Sequence, residues 1–241
     1  MSKALLNIPH DARGIFKNRK NRFLGTVEHS RDGSSQEVHI RDPGRLDEIL
    51  YKGNEVLLKR AENENRKTDW SLLAGRVKEH WVFVNSGYHR AIAEEILEDE
   101  DLSPFGDIDW YEAEKKLDDS RIDFLLRKDD KKVWVEVKGC TLAKDKVALF
   151  PDAPTERGTR HVEELTRSIT EEGTSAALLF LVFRPDPITF EPNKEKDPGF
   201  TSAFKKGLNK GLDVHAIRLA YTGSIIEYRG SVPLSENYRK L

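Results

Sequence analysis

The sequence predicts an α/β protein in two parts, with a small β-barrel in the N-terminal half and a mixed α/β domain after it. Three observations predict this. Within residues 15–85, four short runs rich in β-formers alternate with Gly, Asp, Asn and Lys clusters. Beyond residue 90 the order changes to helix, three strands, helix and a wholly apolar strand, which is an α/β arrangement. The charge changes sign at the same place, because residues 1–90 hold 17 Lys+Arg and 12 Asp+Glu whereas residues 91–241 hold 23 and 30. A basic half attracts a polyanion, and an acidic half suits a divalent cation.

The four N-terminal runs are 22–27, 37–41, 55–59 and 81–85, and their number and spacing suit a small barrel. Residues 91–97 have helical spacing, with Ile92, Ile96 and Leu97 on one face and Glu94, Glu95 and Glu98 largely opposite. Strands are expected over 108–116, 121–127 and 132–138, followed by a Pro- and Gly-rich loop over 139–158. Thr159 is the expected N-cap of the next helix, which has Val162, Leu165 and Ile169 as its apolar stripe and Gly173 at its end. Residues 176–183 form an unbroken apolar run that reads as a strand buried on both faces. A helix over 200–208 and strands near Val214 and Ile225 complete the order.

Several classes are excluded. The longest apolar run has eight residues, far short of the ~20 that span a bilayer, and residues 1–10 lack a secretory apolar region, so a cytoplasmic protein with no membrane partner is expected. The lone Cys140 rules out an intramolecular disulfide and a Cys-rich zinc site, and it reads as a small apolar residue. Neither a Gly-x-x-x-x-Gly-Lys-Ser/Thr loop nor a dinucleotide fingerprint occurs, which removes support for nucleotide hydrolysis and NAD chemistry.

The chemistry concentrates in residues 120–138. Ile122, Phe124 and Leu126 alternate with Arg121, Asp123 and Leu125, and Val133, Val135 and Val137 alternate with Trp134, Glu136 and Lys138, so each strand offers one apolar face to a core. A hairpin centred on Asp129-Asp130 sets Asp123 opposite Glu136. Their Cβ atoms would then lie roughly 5 Å apart, which is unfavourable for like charges unless a cation lies between them. Lys138 falls on the same face as Glu136. Two carboxylates beside an ammonium suit Mg²⁺ or Mn²⁺ and a phosphodiesterase reaction. The same residues also fit a solvated face neutralised by Arg121–Glu136 and Asp123–Lys138 ion pairs. Both readings stay open on this pattern alone.

Longer motifs carry a resemblance. Ser120-Arg121-Ile122-Asp123-Phe124-Leu125-Leu126, Val135-Glu136-Val137-Lys138-Gly139-Cys140-Thr141-Leu142 and the stretch from Phe150-Pro151-Asp152 through Glu156-Arg157-Gly158-Thr159-Arg160-His161 closely resemble the sugar fermentation stimulation protein A (SfsA) family. Arg41-Asp42-Pro43-Gly44-Arg45-Leu46 and Val84-Asn85 are similar to its N-terminal signatures. The resemblance implies an OB-like barrel over residues 1–86 and a PD-(D/E)xK nuclease-like α/β domain over 87–241, with DNA as partner. It puts the nuclease acids and lysine on Asp123, Glu136 and Lys138, with the Val137 carbonyl as a further ligand for Mg or Mn. Whether such a protein cleaves DNA, or binds it as a non-catalytic regulator linked to sugar metabolism, the resemblance leaves open. The chain departs from the family pattern at Ser86-Gly87-Tyr88-His89, so no role is carried over to His89.

Supporting residues lie on both sides. Glu156, Arg157 and His161 flank the expected second helix, where Arg157 suits a phosphate and Glu156 or His161 a metal or proton-transfer role, or else all three fix the long loop. Residues 16–23 interleave Lys17, Arg19, Lys20 and Arg22 with amides between Phe16 and Phe23, as a backbone-tracking groove or a charged loop would. Lys20, Arg22, Arg41 and Arg45 are the DNA-binding candidates. Self-association is left open.

Overall fold

In the computed structural model, residues 2–63 and 66–239 are described. After β1 (Lys3–Asn7) come β2 (Ala12–Asn21), β3 (Leu24–His29), β4 (Ser35–His39), β5 (Glu55–Arg60), β6 (Trp70–Val77) and β7 (His80–Phe83). Strands β2, β3, β4, β6 and β5 pair in a ring, which closes an OB-type barrel around Phe16, Val27, Val38, Val56 and Leu72. Two of its strands, β2 and β6, escape the sequence reading. β2 carries Lys17, Arg19 and Lys20, and β6 is built on Ser71, Ala74 and Gly75, residues of low β-propensity. Residues 17–21 are therefore strand rather than charged loop.

The second part comprises α1 (His89–Leu97), β8 (Trp110–Leu117), β9 (Ser120–Lys128), β10 (Lys131–Cys140), β11 (Ala143–Lys144), β12 (Val147–Phe150), α2 (Glu156–Ser168), β13 (Thr174–Val182), β14 (Thr189–Pro192), α3 (Pro198–Asn209), β15 (Asp213–Tyr221), β16 (Ile225–Ser231) and α4 (Glu236–Arg239). β8, β9 and β10 form an antiparallel meander, and β13 and β15 continue it in parallel with β10. This is a mixed α/β domain with antiparallel and parallel strands in one sheet. β1 pairs with β16, so residues 3–7 join the C-terminal sheet and not the barrel. Tyr221 pairs with Trp81, which makes barrel and domain one continuous sheet. No helix of the described residues is long and apolar enough to cross a membrane.

β13 is buried on both faces, as its apolar run predicts. Leu179 and Leu181 face the core shared with α1 and the barrel, while Leu178, Phe180 and Val182 face the core under α2 and α3. The hairpin differs from expectation. Leu125, Trp134 and Glu136 are also buried, so its second face lies under α2 and is not solvated. Arg121 pairs with Glu114 instead of Glu136. The helix expected from Thr159 begins earlier: Thr155 is its N-cap, its hydroxyl accepting the Gly158 N–H at 3.0 Å. The preceding loop is partly ordered by pairing of β11, β12 and β14.

Candidate active site at the end of the β9–β10 ladder

Asp129 and Asp130 both adopt positive φ, 48° and 62°, giving the two-residue turn that the hairpin register requires. The ladder runs from Lys131↔Lys128 to Val135↔Phe124 in that register. There it stops, and Asp123 Oδ2 accepts the Val137 N–H at 2.7 Å. A residue's N–H and C=O point to the same edge of a strand, so the Val137 carbonyl also faces the gap beside Asp123.

Glu136 is 3% exposed. Its Oε1 accepts from Lys138 Nζ at 2.5 Å and from His161 Nδ1 at 2.5 Å, while its Oε2 is buried without a hydrogen-bond partner. Arg157 Nε donates to His161 Nε2 at 3.3 Å, which makes that nitrogen the acceptor and leaves the ring proton on Nδ1, aimed at Glu136. Burial opposes ionisation of Glu136, but Lys138 and His161 outweigh it and hold its pKa below the ordinary value. Asp123 goes the other way. Burial, and then the Glu136 charge, push it up to about 6.

An acid held up by burial and then by its neighbour, beside a buried carboxylate oxygen without a partner, is an arrangement that a cation would relieve. The donor set of two carboxylates and a carbonyl is all oxygen and fits a hard divalent cation. It is not a complete cage, since among the described residues no group of three or more His, Cys, Asp or Glu side chains could hold a metal. Water or phosphate oxygens would have to fill the remaining positions.

A cleft of about 360 Å³ opens beside this group, between the barrel and the C-terminal domain. Lys138 and Arg157 line one side, and Arg22 and Asp42 the other. Arg41 stands near its rim, its Nη1 within 2.4 Å of where a Cβ on Gly87 would lie, and its carbonyl accepts from Ser86. The remaining candidates lie elsewhere. Lys20 pairs with Glu37, Arg45 lines a smaller adjoining groove with Asp152 and Lys196, and Glu156 is exposed on the first turn of α2.

Two residues to which the sequence reading gave no role, His89 and Asp42, line the cleft. His89 stacks on Phe183 with centroids 5.1 Å apart and lies over Gly139, where a Cβ would come within 2.2 Å of its ring. Burial, then Lys138, lower its pKa to about 4, so it is neutral at pH 7. Arg19 donates to the carbonyls of Gly44 and Arg22 at 2.7 Å each and holds the Asp42-Pro43-Gly44 turn against β2. Asp42 accepts the Gly44 N–H at 2.8 Å and is pushed up to about 6, first by burial and also by Asp152.

A carboxyl whose folded pKa exceeds its unfolded value costs nothing below about pH 4 and destabilises the fold increasingly as the pH rises through about 6. Asp42→Asn is therefore expected to stabilise the protein by about 1–2 kcal/mol at pH 8 and to change nothing at pH 4. Urea unfolding at the two pH values checks this. Equal effects at both would remove the titration from the explanation.

Comparisons with known proteins cover both parts. The family model described as the sugar fermentation stimulation protein RE domain matches residues 87–224, and that of the SfsA N-terminal OB domain matches residues 18–84. The sugar fermentation stimulation protein homolog of Methanococcoides burtonii is 43% identical over 98% of both chains. That of Thermotoga neapolitana is 47% identical over 96% of this chain and 98% of its own. A solved structure, described as Pyrococcus furiosus SfsA in complex with Ca²⁺, superposes with a TM-score of 0.87 at 26% identity, covering 96% of this chain and 99% of the other.

Proposed function

The chain belongs to the sugar fermentation stimulation protein family, and on that premise we propose that it binds DNA and hydrolyses its phosphodiester bonds with Mg²⁺ or Mn²⁺. The observation that carries the reading is the unpartnered Glu136 Oε2 beside Asp123 and Lys138, at the point where the ladder opens. The calcium complex of the Pyrococcus furiosus relative supports a divalent ion in this fold. A cytoplasmic location goes with DNA as partner.

Asp123, Glu136 Oε2 and the Val137 carbonyl would hold the cation, which when bound polarises a phosphate and makes a coordinated water acidic. His161 fixes the Glu136 carboxylate through Oε1, leaving Oε2 for the ion, and Arg157 fixes the tautomer that makes this donor. Lys138, on the cleft side of Glu136, is placed to orient water or to stabilise charge on the phosphate. Arg22 and Arg41, across the cleft, would receive the DNA backbone.

Incubation of plasmid DNA with Mg²⁺ or Mn²⁺ tests the reading. The native protein is expected to nick, and Lys138→Ala to nick about 10–100-fold more slowly. Absence of nicking with either ion would favour the second reading, a DNA-binding regulator without turnover. The incomplete donor set is the observation on its side.

A further inference from the structure

The cleft beside Asp123 and Glu136 is small and its walls are fixed. Its volume of about 360 Å³ is at the low end of the roughly 300–1,000 Å³ that houses one small molecule, room for about one nucleotide. The acids are recessed within it. Glu136 is 3% exposed and the Lys138 side chain 15%, so a phosphate must enter the cleft to reach them. Three connections keep the walls from spreading. Barrel and C-terminal domain share one core, in which the Phe83 ring is centred 5.5 Å from that of Phe183 and 5.1 Å from that of Tyr221. Asp152 Oδ2, from the loop before α2, accepts the Leu46 N–H at 3.2 Å. Arg184, buried just beyond β13, donates to Glu48 at 3.3 Å and to Asp186 at 2.8 Å. Widening the gap would expose that core and break the Arg184–Glu48 pair.

A duplex fits such a cleft badly. Its bases are stacked and paired and show only their edges, in the grooves, so a backbone entering between two fixed walls would have to bring its partner strand along. An unpaired strand has no such companion. The lining agrees, because between Lys138 and Arg157 on one side and Arg22 on the other, Pro43, Pro151 and Gly158 present uncharged surface. That surface suits a base and gives a phosphate no counter-charge.

Phe23 stands beside the Arg22 wall. It is the second residue of the two-residue turn that joins β2 to β3, directly after Arg22, and it is 50% exposed. The turn itself is held. Phe23 O accepts the Ile40 N–H at 2.9 Å, and Arg22 O accepts from Arg19 at 2.7 Å. An exposed ring on a fixed turn offers a stacking face, and only an unpaired base has its own face free to meet it.

We infer that the Asp123–Glu136 site takes DNA as an unpaired single strand, and that Phe23 stacks on one of its bases beside the cleft. The inference rests on the proposed DNA reading. To that reading it adds the class of strand and a contact apart from Lys20, Arg22, Arg41 and Arg45.

Cleavage with Mn²⁺ of one labelled sequence as single strand and as duplex tests it. The single strand should be cut at least about 100-fold faster, because in the duplex two stacked steps, each worth about tenfold, must first open. Negatively supercoiled plasmid, which unpairs more readily, should be nicked at least about tenfold faster than the same plasmid relaxed. Fluorescence anisotropy in metal-free buffer reads binding without cleavage. There Phe23→Ala should bind the single strand about tenfold more weakly and Phe23→Trp should keep native affinity, with duplex binding unmoved in both. Equal rates on single strand and duplex would overturn the inference and leave phosphodiester hydrolysis standing. Unchanged single-strand affinity in Phe23→Ala would overturn the stacking contact. A single-strand preference that falls in Phe23→Ala, in a protein that cuts no DNA, would uphold the strand class and reject catalysis. Neither binding nor cleavage of any DNA by the native protein would overturn both.

Discussion

Glu136→Gln is expected to slow metal-dependent nicking of plasmid DNA by at least about 100-fold while leaving the protein folded. The amide keeps the shape of the carboxylate, and its oxygen still accepts from His161 Nδ1 and Lys138 Nζ, so the buried hydrogen bonds survive. What it removes is the anionic oxygen that has no protein partner. Glu136→Ala differs. It leaves the Lys138 ammonium and the His161 N–H without an acceptor in a buried site, at a cost of about 2–4 kcal/mol. Nicking assays and urea unfolding on both variants separate the two effects. Full activity in the Gln variant would mean that the charge of Glu136 has no part in the chemistry.

The largest expected loss of stability is at Phe180. Phe180→Ala should cost about 3–5 kcal/mol, read as a fall in the guanidinium midpoint. Phe180 is fully buried, with the rings of Phe190, Phe150 and Phe204 centred 4.3, 5.2 and 6.4 Å away. It stands on the central strand β13, in register with Lys138 on one side and Ala216 on the other. The cavity would therefore open under the strand that carries the site. A loss under about 1 kcal/mol would show that the aromatic cluster repacks around the gap.

The juxtaposition of Asp123 and Glu136 was legible in the sequence because it depends on local quantities. A two-residue turn and strict alternation determine which residues oppose, and both can be read from about twenty consecutive positions. His161 was legible only as a candidate, since its contact with Glu136 spans 25 residues and depends on where α2 begins. That start was misplaced because Thr155 and Thr159 are equally good caps by type, and Gly158, three residues after Thr155, gives no capping-box signal. The Asp42–Asp152 pair and His89 over Gly139 could not be read at all. Each depends on how barrel and domain pack, and no spacing along the chain encodes that.

Calorimetric titration of Ca²⁺ and Mn²⁺ into the metal-free protein, without DNA, reaches the central claim directly. Native protein and Lys138→Ala are expected to take up ion, with affinity falling at least about tenfold in Asp123→Asn and in Glu136→Gln. Uptake unchanged in both carboxylate variants, or no uptake by the native protein, would contradict a cation held between the two strands.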